Sequence, residues 1–396
     1  MYQCKCCNGS LVQELIDLGQ QPFANKYPSE KQKKNEMIMN LSIMICENCF
    51  TAFTKTIAPR DIMFEEYFYL SSVNKELVNH FNELAKSIPS GSNLLDIGSN
   101  DGILLKPLMK RNVDALGIDP SENVGKIAND KGLKTIIGFF DEKNTNEIIK
   151  QHGRFDYVVA SSIFTHVEDS EKFVENVKKV LRDDGTFILE IEYIKNLLSN
   201  IEFERFYFDR PYYFSIKGIM SLFEKVGMYV NKIQEISPHG GSLRFYIQNI
   251  KSIKNHHEKL LNDENIFFEN IFKSNFKEKV LREASNFKKF LTDNKNQGKK
   301  IVGFGCPARF STITNFINID QNLISLVIDD SPLKQKKFSP GMHIPIMKRE
   351  TLLEIKPDII IVFAYEYFES IYEFTKQFSA KHYKPIPLSL LERKYE

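Results

Sequence analysis

Between Ser92 and Glu192 short apolar runs alternate with amphipathic stretches. The runs Asn93–Ile97, Asp114–Ile118, Lys134–Ile137, Tyr157–Ala160 and Gly185–Ile191 have the length of buried strands. Ile103–Lys110, Glu122–Lys131, Thr145–Gln151 and Glu171–Arg182 lie between them with helical spacing. Such alternation predicts a parallel sheet with helices on both faces. An aromatic-rich stretch, Phe203–Ser215, and a helix over Lys217–Val226 follow. Residues 251–300 are polar and charged, with Phe and Leu at helical spacing, and predict one or two long helices bridging domains. After Gly298 a second series begins: Lys300–Phe304, a glycine turn, Phe310–Asn318, Ile324–Asp329 and Asp358–Phe363. It predicts a second, smaller Rossmann-like unit. The first 60 residues carry little periodic pattern. The α/β chain thus divides into a module over 1–70, a middle domain over 71–250, and helices plus a second αβ domain over 251–396. Two nucleotide-type units in one chain point to an enzyme that holds two ligands.

Length and composition add exclusions. A chain of 396 residues can bury several cores. With 53 Lys+Arg against 51 Asp+Glu there is no general electrostatic reason to bind nucleic acid. The longest apolar run, around Asp358–Tyr365, is far below the roughly 20 residues that span a bilayer. No apolar h-region follows Met1, so no secretory signal is expected. The expectation is a soluble, cytoplasmic protein, a monomer or weak homo-oligomer, without nucleic-acid or membrane partners.

Five of the six cysteines fall in the unpatterned N-terminal stretch. Cys4-Lys5-Cys6-Cys7 and Cys46-Glu47-Asn48-Cys49 form two CxxC knuckles, and two thiolates from each can close a tetrahedron around Zn²⁺. A segment with so little apolar content would draw folding free energy from the metal. A redox dithiol or unrelated thiols are the alternatives. Four ligands, Cys4, Cys7, Cys46 and Cys49, would fill the shell, so the zinc would be structural. Cys6 and Cys306 are left as ordinary thiols.

In the middle domain, Leu94-Leu95-Asp96-Ile97-Gly98-Ser99-Asn100-Asp101-Gly102 reads as a strand, a glycine turn and a helix start. The turn admits a ligand against the backbone, and the helix start favours an anionic group. The three-glycine dinucleotide fingerprint is missing, which disfavours NAD. Gly117-Ile118-Asp119-Pro120 puts an acid at the end of the next strand, where it can accept both hydroxyls of a ribose. This pattern resembles the class I S-adenosylmethionine (SAM)-dependent methyltransferases. The resemblance implies a SAM site formed by Asp96, Gly98, Asn100 and Asp119. Phe139 and Phe140 would lie around the adenine, and Ser161 and Ser162 near the methionine end.

A closer resemblance extends over nearly the whole chain. The four-cysteine module, Gly19-Gln20-Gln21-Pro22-Phe23-Ala24-Asn25 and Tyr67-Phe68-Tyr69-Leu70-Ser71-Ser72 belong to it. So do Ser99-Asn100-Asp101-Gly102, His239-Gly240-Gly241-Ser242-Leu243-Arg244, Gly303-Phe304-Gly305-Cys306-Pro307-Ala308-Arg309 and Pro340-Gly341-Met342-His343-Ile344-Pro345-Ile346. Their order and spacing are similar to the SAM-dependent sugar C-methyltransferases that act on nucleotide-linked deoxysugars. The resemblance implies a base that removes a proton α to a keto group, giving an enolate that attacks the SAM methyl. It also implies a C-terminal domain that anchors the sugar nucleotide and a zinc module that helps to cover the active site.

The family's catalytic tract matches Tyr207-Phe208-Asp209-Arg210-Pro211-Tyr212-Tyr213-Phe214-Ser215. Tyr207 is kept, the family's Glu is Asp209, and its general-base His is Arg210, which stays protonated and cannot take a proton. Tyr69 and Tyr207 match positions that face the sugar. Asp209, His239 and His166 remain as candidate bases, while Arg210 would bind an anion or stabilise an oxyanion. Ser242, Arg244, Arg309 and Lys334 are expected on the substrate side, with Lys337 a further cation. Transfer to oxygen or nitrogen of a sugar nucleotide is the alternative to carbon, because of Arg210. A silent zinc-and-SAM binding module is a third reading.

Overall fold

The computed structural model describes residues 3–58, 70–252 and 257–392. Its N-terminal part holds strands where the sequence showed no periodicity. β1 (Val12–Pro22) and β2 (Ile38–Cys46) pair antiparallel, and β3 (Ala52–Thr54) adds to β2. The missing pattern has two causes. Register shifts between Glu14 and Ile16 and between Asp17 and Gln20 break the period of two along β1. Leu41–Cys46 of β2 is buried residue by residue, so apolar and polar positions do not alternate.

The middle sheet has the order β10-β11-β8-β7-β4-β5-β6. β4 (Asn93–Ile97), β5 (Asp114–Asp119), β6 (Thr135–Ile137), β7 (Phe155–Ser161) and β8 (Leu181–Glu192) are parallel, as their apolar runs predicted. The antiparallel hairpin of β10 (Tyr229–Ile236) and β11 (Ser242–Gln248) extends the sheet beyond β8 and was not predicted. β4 is flanked by β5 on one side and β7 on the other. The strand order therefore reverses at β4, and a crevice opens beyond the strand ends there.

The C-terminal sheet repeats this plan. β12 (Ile301–Phe304) lies between β13 (Val327–Ile328) and β15 (Ile359–Val362). β14 (Ile346–Met347) and β16 (Lys381–Lys384) extend it in parallel, and β17 (Ser389–Leu390) closes it antiparallel. The expected pair of long helices spans Glu258–Lys273 and Phe276–Asn296. They are core as well as connection. Phe268, Phe287 and Leu291 are fully buried, and buried Glu264 accepts the amides of Ile216 (2.7 Å) and Lys217 (2.9 Å) at the start of helix Ile216–Glu224.

The aromatic stretch supplies β9 (Tyr212–Tyr213), which leaves the middle domain to pair with β3 as the fourth strand of the N-terminal sheet. That pairing sets the position of the residues just before it.

Candidate active site

The zinc-binding end comes first. Cys4 and Cys49 Sγ are 3.6 Å apart, as are Cys7 and Cys46, and all four sulfurs lie within 4.8 Å of one another. Thiolates about 2.3 Å from a zinc ion sit about 3.8 Å apart at the corners of a tetrahedron. The cluster fits that ion and has no room for a further ligand. Cys6 is buried outside the cluster, and Cys306 is buried in the C-terminal unit.

The SAM cradle forms where β4 and β5 end. Gly98 has φ +77°, and a Cβ there would lie 2.3 Å from Ile163 Cγ2, so only glycine lets the chain turn against the loop after β7. Asp119 accepts the amides of Asn100 and Ser121, each at 2.9 Å, one on each carboxylate oxygen. The second lone pairs of those oxygens can accept ribose hydroxyls. Burial raises the Asp119 carboxyl above its ordinary range, against the pull of the two amides. Phe139, Phe140, Ser161 and Ser162 line the same cleft. Asp96 lies beneath it, buried, and burial together with the nearby Asp119 and Glu190 pushes its carboxyl up to about 8.

Behind the methionine end lies a network that sequence reading missed. Glu190, on β8, accepts from Ser161 Oγ (2.6 Å) and from Arg244 Nε (2.6 Å), and its carboxylate lies 2.9 Å from His80 Nε2. Burial alone would raise Glu190, but His80, Arg244 and Ser161 together hold it below its ordinary value. Arg244 is thus part of the support under the SAM side, and Ser242 donates to the Pro238 carbonyl at 2.9 Å. Neither lines the cleft; both are buried on β11, away from the substrate side expected for them. His80 does line it.

A single cleft of about 2130 Å³ joins this cradle to the loop after β1, the Tyr207 tract and the C-terminal unit. Tyr207, Asp209, Arg210 and His166 all line it. Tyr69 and the side chain of His239 lie outside the described residues. Asn25 donates to Asp209 at 2.6 Å, and burial raises the Asp209 carboxyl above its ordinary range. His166 Nδ1 lies 2.5 Å from the Asp209 carbonyl, which makes that nitrogen the donor and Nε2 the basic one. Arg210 pairs with Glu192 of β8 and stacks 5.1 Å from the Tyr207 ring. Its charge is therefore matched in part by the protein itself, beside whatever anion or oxyanion it meets in the cleft. Arg205 pairs with the same carboxylate at 3.4 Å.

On the far wall, Arg309 pairs with Glu366 at 2.6 Å and lies over the Tyr365 ring. Lys334 contacts Asp329 at 3.3 Å and donates to the Cys306 carbonyl at 3.1 Å. Lys337 is also at the cleft. Asn25 closes the Gly19–Asn25 segment of the resemblance, but His80, Glu190 and Glu192 had no motif of their own. A lone acid in a strand or a lone His in a helix carries no sequence signal until the fold supplies its partner.

This fold and cradle define a class I SAM-dependent methyltransferase, built here with a zinc-binding module. Three family descriptions match in succession: a zinc binding domain at residues 4–64, a methyltransferase domain at 69–233 and a C-methyltransferase C-terminal domain at 237–387. The C-methyltransferase NovU of Streptomyces niveus is 25% identical over 401 residues, covering 97% of this chain and 95% of the relative. The chain is thus similar, part by part and over nearly its whole length, to a three-part C-methyltransferase. The mitochondrial ubiquinone biosynthesis O-methyltransferase of Bos taurus is 34% identical over 105 residues, 25% of this chain and 28% of the relative. Among solved structures, the magnesium protoporphyrin IX methyltransferase of Synechocystis with bound SAM is similar at a TM-score of 0.33 and 14% identity. That likeness covers 45% of this chain and 79% of the other. No helix among the described residues is long and apolar enough to cross a membrane.

Proposed function

We propose that this enzyme methylates carbon in a nucleotide-linked keto-sugar, with SAM in the middle domain and the nucleotide in the C-terminal unit. One observation carries the second ligand. Asp329, at the end of β13, accepts the amides of Cys306 (2.8 Å) and Ser331 (2.9 Å), as Asp119 accepts those of Asn100 and Ser121. Gly305 has φ +84°, and a Cβ there would lie 2.4 Å from Ala364, as one on Gly98 would meet Ile163. The two cradles open into the same cleft. A cradle that holds a nucleoside on one side thus has a counterpart across the cleft, flanked by Arg309, Lys334 and Lys337.

SAM supplies the electrophilic methyl and needs no activation by the protein. The chain's own task is to remove a proton α to the carbonyl and to hold the resulting oxyanion. His166 Nε2 takes that proton, with the Asp209 carbonyl fixing the tautomer through Nδ1. Tyr207 and the Arg210–Glu192 pair stabilise the enolate oxygen, and Arg210 Nε–H has no acceptor among the described residues. Incubation with SAM and a panel of keto and reduced sugar nucleotides, with the methyl located by NMR, tests the reading. A new C–CH₃ on a keto substrate is expected. Methyl on a hydroxyl or amine of a reduced sugar would overturn it in favour of O- or N-methylation.

A further inference from the structure

Tyr207, Asp209 and Arg210 are followed at once by Tyr212–Tyr213, which pairs with β3: Ala52 opposes Tyr213 and Phe53 opposes Tyr212. The Thr54 amide adds a bond to the Pro211 carbonyl at 3.0 Å. β3 begins right after the second zinc knuckle. Cys46 N donates to Thr51 O at 3.0 Å, and Phe50 N donates to Cys46 O at 2.8 Å, so the knuckle and the strand are one hydrogen-bonded unit. Ser215 Oγ donates to the Cys49 carbonyl and accepts the Gly218 amide at 2.8 Å, tying the helix after the tract to a ligand's own backbone. The first knuckle is held to that helix's end, since Lys225 Nζ donates to Lys5 O (2.8 Å) and Asn8 Oδ1 (2.9 Å). Tyr213 then reaches back. Its hydroxyl donates to Arg205 O at 3.1 Å and accepts the Tyr207 amide at 3.1 Å, bracing the segment that faces the cleft.

We infer that the zinc centre positions the Tyr207–Arg210 tract: the metal fixes the knuckle, the knuckle fixes β3, β3 fixes β9, and Tyr213 is the positioning residue that passes the constraint back to Tyr207. Among the described residues the SAM cradle takes no backbone bond from residues 3–58; Gly98, Asn100 and Asp119 are held by β4, β5, the loop after β7 and the Ser71 amide, which donates to Asn100 Oδ1 at 3.0 Å. Metal occupancy therefore sets turnover without setting SAM affinity. The link to turnover rests on the proposed reading that this tract faces the substrate; the anchoring itself does not.

The test compares the full-length zinc-loaded protein with the same protein stripped by chelator, by amide hydrogen exchange and by calorimetry with SAM. Exchange in peptides spanning residues 207–215 is expected to rise about tenfold or more, with SAM affinity within about twofold. Unchanged exchange there, or loss of SAM affinity in parallel, would overturn the inference. Should the stripped protein precipitate, Tyr213→Phe keeps the backbone pairing and removes only the hydroxyl. It should retain one zinc per chain and full SAM affinity, expose the Tyr207 amide to faster exchange, and lower kcat about 5- to 10-fold, the effect of one hydrogen bond. Unchanged exchange at Tyr207 would refute the role of Tyr213. Faster exchange with unchanged kcat would uphold the anchoring and sink the placement of the tract at the substrate.

Discussion

Arg210 stands in a buried pair with Glu192, so replacing it acts on two groups at once. Arg210→His should cut turnover on a keto-sugar nucleotide by about 10²-fold or more, because a fixed charge beside the developing oxyanion becomes a mostly neutral imidazole. SAM affinity should hold, since in the proposed function the pair faces the sugar rather than the cofactor. Steady-state kinetics decide it: preserved or raised turnover would mean that a histidine here is the better base. Asp119 makes the opposite case. Asp119→Ala removes acceptors at the ribose and the brace on the Asn100 turn, and calorimetry should record SAM binding weakened by about 10- to 100-fold. Asp96 gives a pH test. Its carboxyl titrates near 8 when folded, against about 4 in an unfolded chain, so between those values the folded state holds the extra proton. Its contribution to stability is present below about pH 4 and declines as pH rises towards 8. Asp96→Asn should flatten that decline in melts run from pH 5 to 8; an identical pH slope in both proteins would refute the burial of a protonated acid.

Among the elements, the Glu258–Lys273 helix reads as a bridge in the sequence yet acts as a cap in the fold. Glu264 is buried and takes three donors, the amides of Ile216 and Lys217 and the Tyr193 hydroxyl at 2.8 Å. Removing an acceptor that leaves buried donors unmade costs more than the bonds themselves. Glu264→Ala should destabilise the protein by about 3 kcal/mol or more, read from chemical denaturation. A loss below about 1 kcal/mol would show that water or another group can replace the carboxylate. The same helix explains why trimming the chain after residue 250 is a poor way to separate two ligand sites. It would strip Phe268 and Glu264 from the middle domain along with the C-terminal sheet.

For the molecule as a whole, two glycines allow that separation inside an intact chain. Gly98 and Gly305 occupy equivalent turns in the two sheets, each at positive φ and each pressed against the loop of a neighbouring strand. Gly98→Ala should abolish SAM binding while a sugar nucleotide still gives saturation-transfer signals. Gly305→Ala should do the reverse. Loss of both ligands in either variant, with the fold retained by circular dichroism, would refute the division of labour. Arg205 of the middle domain reaches Glu366 of the C-terminal unit at 3.2 Å and so joins the two walls, while Arg309 pairs with the same carboxylate from within its own wall.

What the sequence determined by itself is what local spacing can encode. Alternating apolar runs placed the five parallel strands of the middle sheet and the order of the second αβ unit, since a buried strand needs only its own residues to be recognised. Two CxxC knuckles marked the metal ligands, and the Gly98 turn with Asp119 marked the SAM cradle, because each is a short motif with its own geometry. Tertiary structure decided the rest. The strands of β1 and β2 were hidden by bulges and two-sided burial. Tyr212–Tyr213 left the middle domain for β3, a pairing between segments some 160 residues apart along the chain that no local pattern records. Arg244 turned inward to Glu190, and Arg210 met Glu192, because a side chain's role depends on which charge the fold sets opposite it. Electrostatic partnership acts through space, and only the folded chain fixes those distances.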